Sequence, residues 1–90
     1  MKGILPLSVD NGYPQKKTVI VDNVSYSVFL QRNVTAGFVT VAVRRVSDGV
    51  LLSKSKLIED GYVDIPDNTT GNILFTLYCR SVSGMEVWIL

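Results

Sequence analysis

The side chains that could do chemistry are few in this 90-residue chain: one cysteine, no histidine, four tyrosines, and eight carboxylates against nine basic groups. A Ser-His-Asp or Cys-His arrangement and a His-ligated metal site are excluded, because each needs an imidazole to carry a proton or donate a lone pair. One cysteine also excludes an intrachain disulfide. Cys79 alternates with Ile73, Phe75 and Leu77 on the apolar side of its segment, where a thiol without a base is expected to be buried and inert. Asp60, Asp64 and Asp67, with Asn68, form the oxygen cluster that calcium could use, a cation that takes about six to eight oxygen ligands. Their spacing departs from the helix-flanked calcium loop, and carboxylates in β-turns commonly accept from the adjacent backbone. No metal or other cofactor is expected.

Two features remain as binding chemistry. Arg44, Lys54 and Lys56 form a cationic set suited to an acidic partner. No aromatic residues interleave with them for base stacking, and the net charge of +1 gives no general attraction to nucleic acid or anionic membrane. Neither is expected as a partner, and lysine on a strand's solvent face also serves as protection against edge pairing. The second feature is the run Val87-Trp88-Ile89-Leu90. Met85, Val87 and Ile89 alternate with Trp88 and Leu90, so a strand here is apolar on both faces and must be covered on both. Phe29, Phe38 and Leu52 also fall on expected solvent faces. These eight residues form the expected protein interface, since contiguous exposed apolar surface marks such sites. The alternative for the C-terminal run is a closing strand of the domain's own core.

The elements that position these groups are strands. Val, Ile and Thr make up 26 of 90 residues, while Ala and Glu contribute two each, a balance that favours β structure over helix. Turn signals recur about every ten residues, the pattern of a meander of hairpins. A single all-β domain is expected over residues 1–90, an antiparallel sandwich or partly open barrel. Residues 4–7 form a short edge strand containing Pro6, and Asp10-Asn11-Gly12-Tyr13-Pro14 is a loop. The start of the chain is too short for a signal-peptide core, and the longest uncharged stretch, residues 68–79, is too short to span a bilayer as a helix. A soluble chain folded in a cytoplasm is expected.

Two hairpins fix their registers through side-chain alternation, because a one-residue slip turns every side chain to the other face. Asp22-Asn23 tolerates the positive φ angles of a two-residue turn, which sets Val21 opposite Val24 and Val19 opposite Tyr26. For Ser47-Asp48-Gly49, a two-residue loop would bury Lys54 and Lys56 against valines. A three-residue loop with Gly49 left-handed instead sets Val43, Val41 and Val39 opposite Ser53, Ser55 and Leu57. The latter is expected, with Thr40, Arg44, Lys54 and Lys56 on the opposite face. In residues 72–82, Thr76, Tyr78 and Arg80 face away from Phe75 and Leu77.

The opening Ile4-Leu5-Pro6-Leu7-Ser8, the hairpin from Thr18 to Leu30, and the strand from Phe38 leading through Ser47-Asp48-Gly49 to Leu57 resemble the small baseplate plug-like proteins of tailed phages. That family has an I-x-P-L start, a V-x-L-x-G-x-x-Y hairpin, an aromatic-rich strand and a glycine turn. The likeness covers about residues 4–57. Asn23 stands where the family often has glycine, and the strand after Phe38 lacks the usual Trp or Tyr pairs. The resemblance implies a non-enzymatic structural subunit of the tail baseplate, made in the host cytoplasm and located in the virion. Its partners would be hub, tube or wedge proteins and copies of itself in a symmetric oligomer. Alternatives are a capsid decoration or head-tail connector protein, and a host-directed binding or inhibitor module using Arg44, Lys54 and Lys56.

Overall fold

The computed structural model describes every residue except Met1, Val9 and Asn11. Asn11 of the expected loop therefore lies outside the described residues. The strands are β1 (Gly3–Ile4), β2 (Gln15–Val21), β3 (Val24–Asn33), β4 (Phe38–Arg45), β5 (Leu51–Leu57), β6 (Tyr62–Pro66), β7 (Ile73–Ser81) and β8 (Glu86–Ile89). They form two antiparallel four-stranded sheets, ordered β1-β8-β7-β6 and β2-β3-β4-β5. The protein is a small β-sandwich, and no α-helix occurs among the described residues. The chain changes sheet between β1 and β2 and again between β5 and β6. The two termini consequently share one sheet: Gly3 pairs with Ile89 and Ile4 with Trp88, extended by Leu5 N–H donating to Val87 C=O at 2.8 Å.

The first hairpin has the expected register, with Val21 opposite Val24 and Val19 opposite Tyr26. Asp22 and Asn23 have φ of 51° and 67°, the twist that suits a two-residue connection between right-handed strands. Alternation then sends Val19, Val21, Tyr26, Val28 and Leu30 into the core. Across the sandwich, Tyr26 meets Phe75 edge-on with ring centroids 4.9 Å apart.

The second hairpin keeps the expected pairs Val43–Ser53, Val41–Ser55 and Val39–Leu57 but reaches them differently. Arg45 N–H donates to Val50 C=O at 3.0 Å and Gly49 N–H to Arg45 C=O at 2.8 Å, closing a four-residue loop in which Gly49 has φ of 71°. The register then shifts between Val43 and Arg44, which pairs with Leu51. Leu52 is the extra residue of this β-bulge, and the bulge turns its side chain inward, leaving it 8% exposed. The expected outward placement of Leu52 is thus corrected: it is a core residue, and Leu51 is the exposed one at 41%.

Two further corrections follow, one from a second bulge and one from a turn. A shift between Ile65 and Pro66 pairs Pro66 with Ile73, so Ile73 is exposed instead of sharing the inward row of Phe75, Leu77 and Cys79. Met85 belongs to the β7–β8 turn with φ of 53°, outside the strand that was expected to include it.

A polar clamp holds the segment before β2. Gln15 is buried; its amide donates to Ser8 C=O at 2.6 Å and Gly12 C=O at 2.9 Å, and its carbonyl accepts from Ser8 N–H at 3.0 Å. The same amide lies 3.3 Å from Met85 Sδ. Nearby, Tyr13 Oη donates to Val82 C=O at 3.0 Å. Tyr13 of the loop and Gln15 at the start of β2 therefore tie the N-terminal segment to the β7–β8 turn, satisfying groups whose burial without partners is costly.

Candidate interaction faces

The sandwich leaves each sheet with one outward face, and strand registers determine what stands there. On the sheet β1-β8-β7-β6, Ile4 lies opposite Trp88, Trp88 opposite Tyr78, and Tyr78 opposite Tyr62. One side chain from every strand thus forms a continuous apolar row across the sheet. The Tyr62 and Tyr78 ring centroids are 4.9 Å apart, and those of Tyr78 and Trp88 are 5.5 Å apart with an interplanar angle of 66°. Such pairs interact beyond their area of burial. Trp88 and Tyr78 are half-buried by this packing, while Tyr62, on the edge strand, is 66% exposed.

Carboxylates flank the row and accept from its polar tips. Tyr78 Oη donates to Asp60 Oδ1 at 2.8 Å, and Trp88 Nε1 donates to Glu86 Oε2 at 2.8 Å. The hydrogen bond to Asp60 is the main reason that the Tyr78 phenol is raised above its ordinary pKa. Thr76 Oγ1 donates to Asp64 Oδ1 at 2.8 Å. Asp67 accepts from Thr69 N–H at 2.9 Å, and Asn68 accepts from the Arg45 guanidinium. The residues considered for calcium are thus engaged separately, and among the described residues no three His, Cys, Asp or Glu side chains are grouped to hold a metal ion.

The other sheet is charged with the opposite sign. Strands β2 to β5 carry seven of the nine basic residues, Lys16, Lys17, Arg32, Arg44, Arg45, Lys54 and Lys56, and none of the eight acidic ones. Lys16, Phe29, Ala42 and Lys54 form one cross-strand row on its outward face. Thr40 and Lys56 pair in the next row, and Ser27 and Arg44 on the other side. The small Ala42 leaves a depression of about 390 Å³ bordered by Lys16, Phe29, Arg44 and Lys54. The ion pairs among the described residues, Lys2–Asp22, Arg45–Asp48 and Arg80–Glu86, do not include these outward cations. Lys56 instead stands 4.8 Å from the centroid of Phe38. Asp48, in the adjoining turn, has its pKa lowered chiefly by accepting from Val50 N–H.

The structure divides the eight expected interface residues. Leu52, Val87 and Ile89 are in the chain's own core, the last two at 0% and 6% exposure, because alternation in β8 sends them inward beside Leu77 and Cys79. Met85 is half-buried beside Gln15. Trp88 and Leu90 lie on or beside the aromatic face, whereas Phe29 and Phe38 lie half-buried on the basic one. Arg44, Lys54 and Lys56 share that basic face as expected. Tyr62 and Ile4 complete the aromatic row; the signal for them was pairing among β1, β6, β7 and β8, which periodicity within one strand does not contain.

Cys79 is buried. Burial, followed by the nearby Glu59 and Asp60 charges, pushes its thiol up to about 11, the reverse of what a nucleophile requires. No helix of the described residues is long and apolar enough to cross a membrane. Compared with known proteins, the chain matches no family model, no curated protein and no solved structure.

Proposed function

We propose that this chain is a non-enzymatic structural subunit of a phage tail baseplate, acting through contacts of its two outward sheet faces with neighbouring tail proteins. The observation that carries the reading is the four-strand row Ile4, Trp88, Tyr78 and Tyr62, an apolar and aromatic strip with polar groups at its margin. That composition is the one enriched at the centres of protein interfaces. The sequence resemblance supplies the phage setting, and the buried, high-pKa Cys79 fits a chain that does no covalent chemistry.

Removing residues 87–90 does not test this reading, because Val87 and Ile89 belong to the core and their loss unfolds the sandwich. A surface variant does. Tails assembled with wild-type chain and with a Tyr62→Ala/Trp88→Ala variant are purified by gradient and analysed by quantitative mass spectrometry. Wild-type chain should co-purify at fixed stoichiometry and the folded variant should be depleted. A wild-type chain absent from tails overturns the assignment.

A further inference from the structure

The two outward faces are complementary to each other, and they lie on opposite sides of one molecule. One presents a ridge, Trp88, Tyr78 and Tyr62, flanked by Asp60, Asp64 and Glu86; among the described residues Arg80 is the one cation beside it, 5.9 Å from the Trp88 ring centroid and 3.9 Å from Glu86. The other presents a depression floored by Ala42 and Phe29 and bordered by Lys16, Arg44 and Lys54. The ridge has carboxylates and π faces where the depression has ammonium and guanidinium groups, and cations are attracted to both. The chain cannot satisfy these faces with one another, since its own core separates them. A second copy can.

We propose that copies of this chain associate head to tail, the aromatic and acidic face of one docking on the basic depression of the next. The proposal rests on the reading of the chain as an assembly subunit and names one of its partners as itself. The molecule measures 34 × 26 × 21 Å, large enough to give up the roughly 800 Å² that a standard interface takes from each partner. The contact is heterologous: each copy uses two different patches and keeps one of each unfilled at the ends. Such contacts build a closed ring or an open stack instead of stopping at a two-fold dimer. Charge segregation also sets the conditions, because attraction between exposed opposite charges is screened by salt.

The test is sedimentation velocity on the full chain across a concentration series, at low salt and at 1 M salt, where the screening length is about 3 Å. Wild-type chain should form species larger than a dimer at low salt and dissociate at high salt. Lys54→Gln/Lys56→Gln removes charge from one face, and Tyr62→Ala/Asp64→Asn alters the other; both pairs change exposed positions, and circular dichroism melting verifies folding. Each variant alone should be monomeric, since either lacks one half of every contact. Mixed together, they should form a complex that ends at one copy of each, through the intact ridge of the first and the intact depression of the second.

A wild-type chain that stays monomeric at low salt overturns the proposal. So does a variant that self-associates as wild type does, or a mixture that remains monomeric. Incorporation into tails without self-association overturns head-to-tail docking alone, whereas self-association without incorporation overturns the assignment to the tail.

Discussion

Trp88 stands opposite Tyr78 on the neighbouring strand with ring centroids 5.5 Å apart, and its indole N–H is occupied by Glu86 at 2.8 Å. The indole is therefore held half-buried on the outward face, with the Arg80 guanidinium 5.9 Å from its ring centroid. Its pairing with Tyr78 adds about 0.5–1.5 kcal/mol to what its partial burial contributes to the isolated domain. Trp88→Ala should lower stability in denaturant titration by about 1–2 kcal/mol while abolishing assembly. A loss of about 3–5 kcal/mol, the range for a core aromatic, would place the indole in the core and remove it from the interface.

The β4–β5 bulge separates two adjacent leucines. Leu52→Ala should cost about 2–5 kcal/mol as a core truncation, while Leu51→Ala should stay within about 0.5 kcal/mol as an exposed change. Chemical denaturation of the two variants reads the difference, and equal costs would contradict the inward turn of Leu52.

Gln15 gives its amide and carbonyl to backbone groups of the segment before β2. Gln15→Ala should destabilise by about 1–3 kcal/mol, the cost of leaving buried polar groups without partners. Amide exchange should speed up at Ser8, whose N–H loses its acceptor, with little change in β4. Uniform acceleration across both sheets would show that the clamp is part of the global unfolding unit.

Cys79 gives a pH dependence whose sign follows from burial. Its thiol titrates near 11 in the folded chain against 9.0 for the ordinary value, so the folded state holds the proton more tightly than the unfolded one. That contribution is fully present below pH 9 and lost as pH rises from 9 through 11, about 2–3 kcal/mol in all. Cys79→Ser should flatten this alkaline decline. Thiol labelling at neutral pH should proceed only at the rate of opening, and rapid labelling of folded protein would contradict the burial.

The hairpins were legible because Val19, Val21, Tyr26 and Val28 alternate without interruption and Asp22-Asn23 marks the turn between them. Leu52 and Ile73 were misplaced because a bulge adds one residue and breaks the two-residue period, a local event that composition does not signal. The grouping of β1 with β8 and the crossing from β5 to β6 arise from pairing over long sequence separations. Until those are known, the row of Tyr62, Tyr78, Trp88 and Ile4 is four unrelated residues, and the absence of acids from β2 to β5 is a coincidence of spacing. Arg44, Lys54 and Lys56 were legible as a set because one hairpin contains them all. Lys16 and Phe29 join them only through the neighbouring strands.

The claim that the outward faces exist for assembly is tested most directly by competition. Equal amounts of wild-type chain and of an isotopically labelled Tyr62→Ala/Trp88→Ala chain are supplied during tail assembly, with a labelled Ile58→Ala chain as a control at an exposed position in the connection between β5 and β6. The ratio of labelled to unlabelled chain is then measured in purified tails. The double variant should be excluded at least tenfold, about 1.4 kcal/mol of lost contact, while the control enters equally. Equal entry of the folded double variant would contradict the claim.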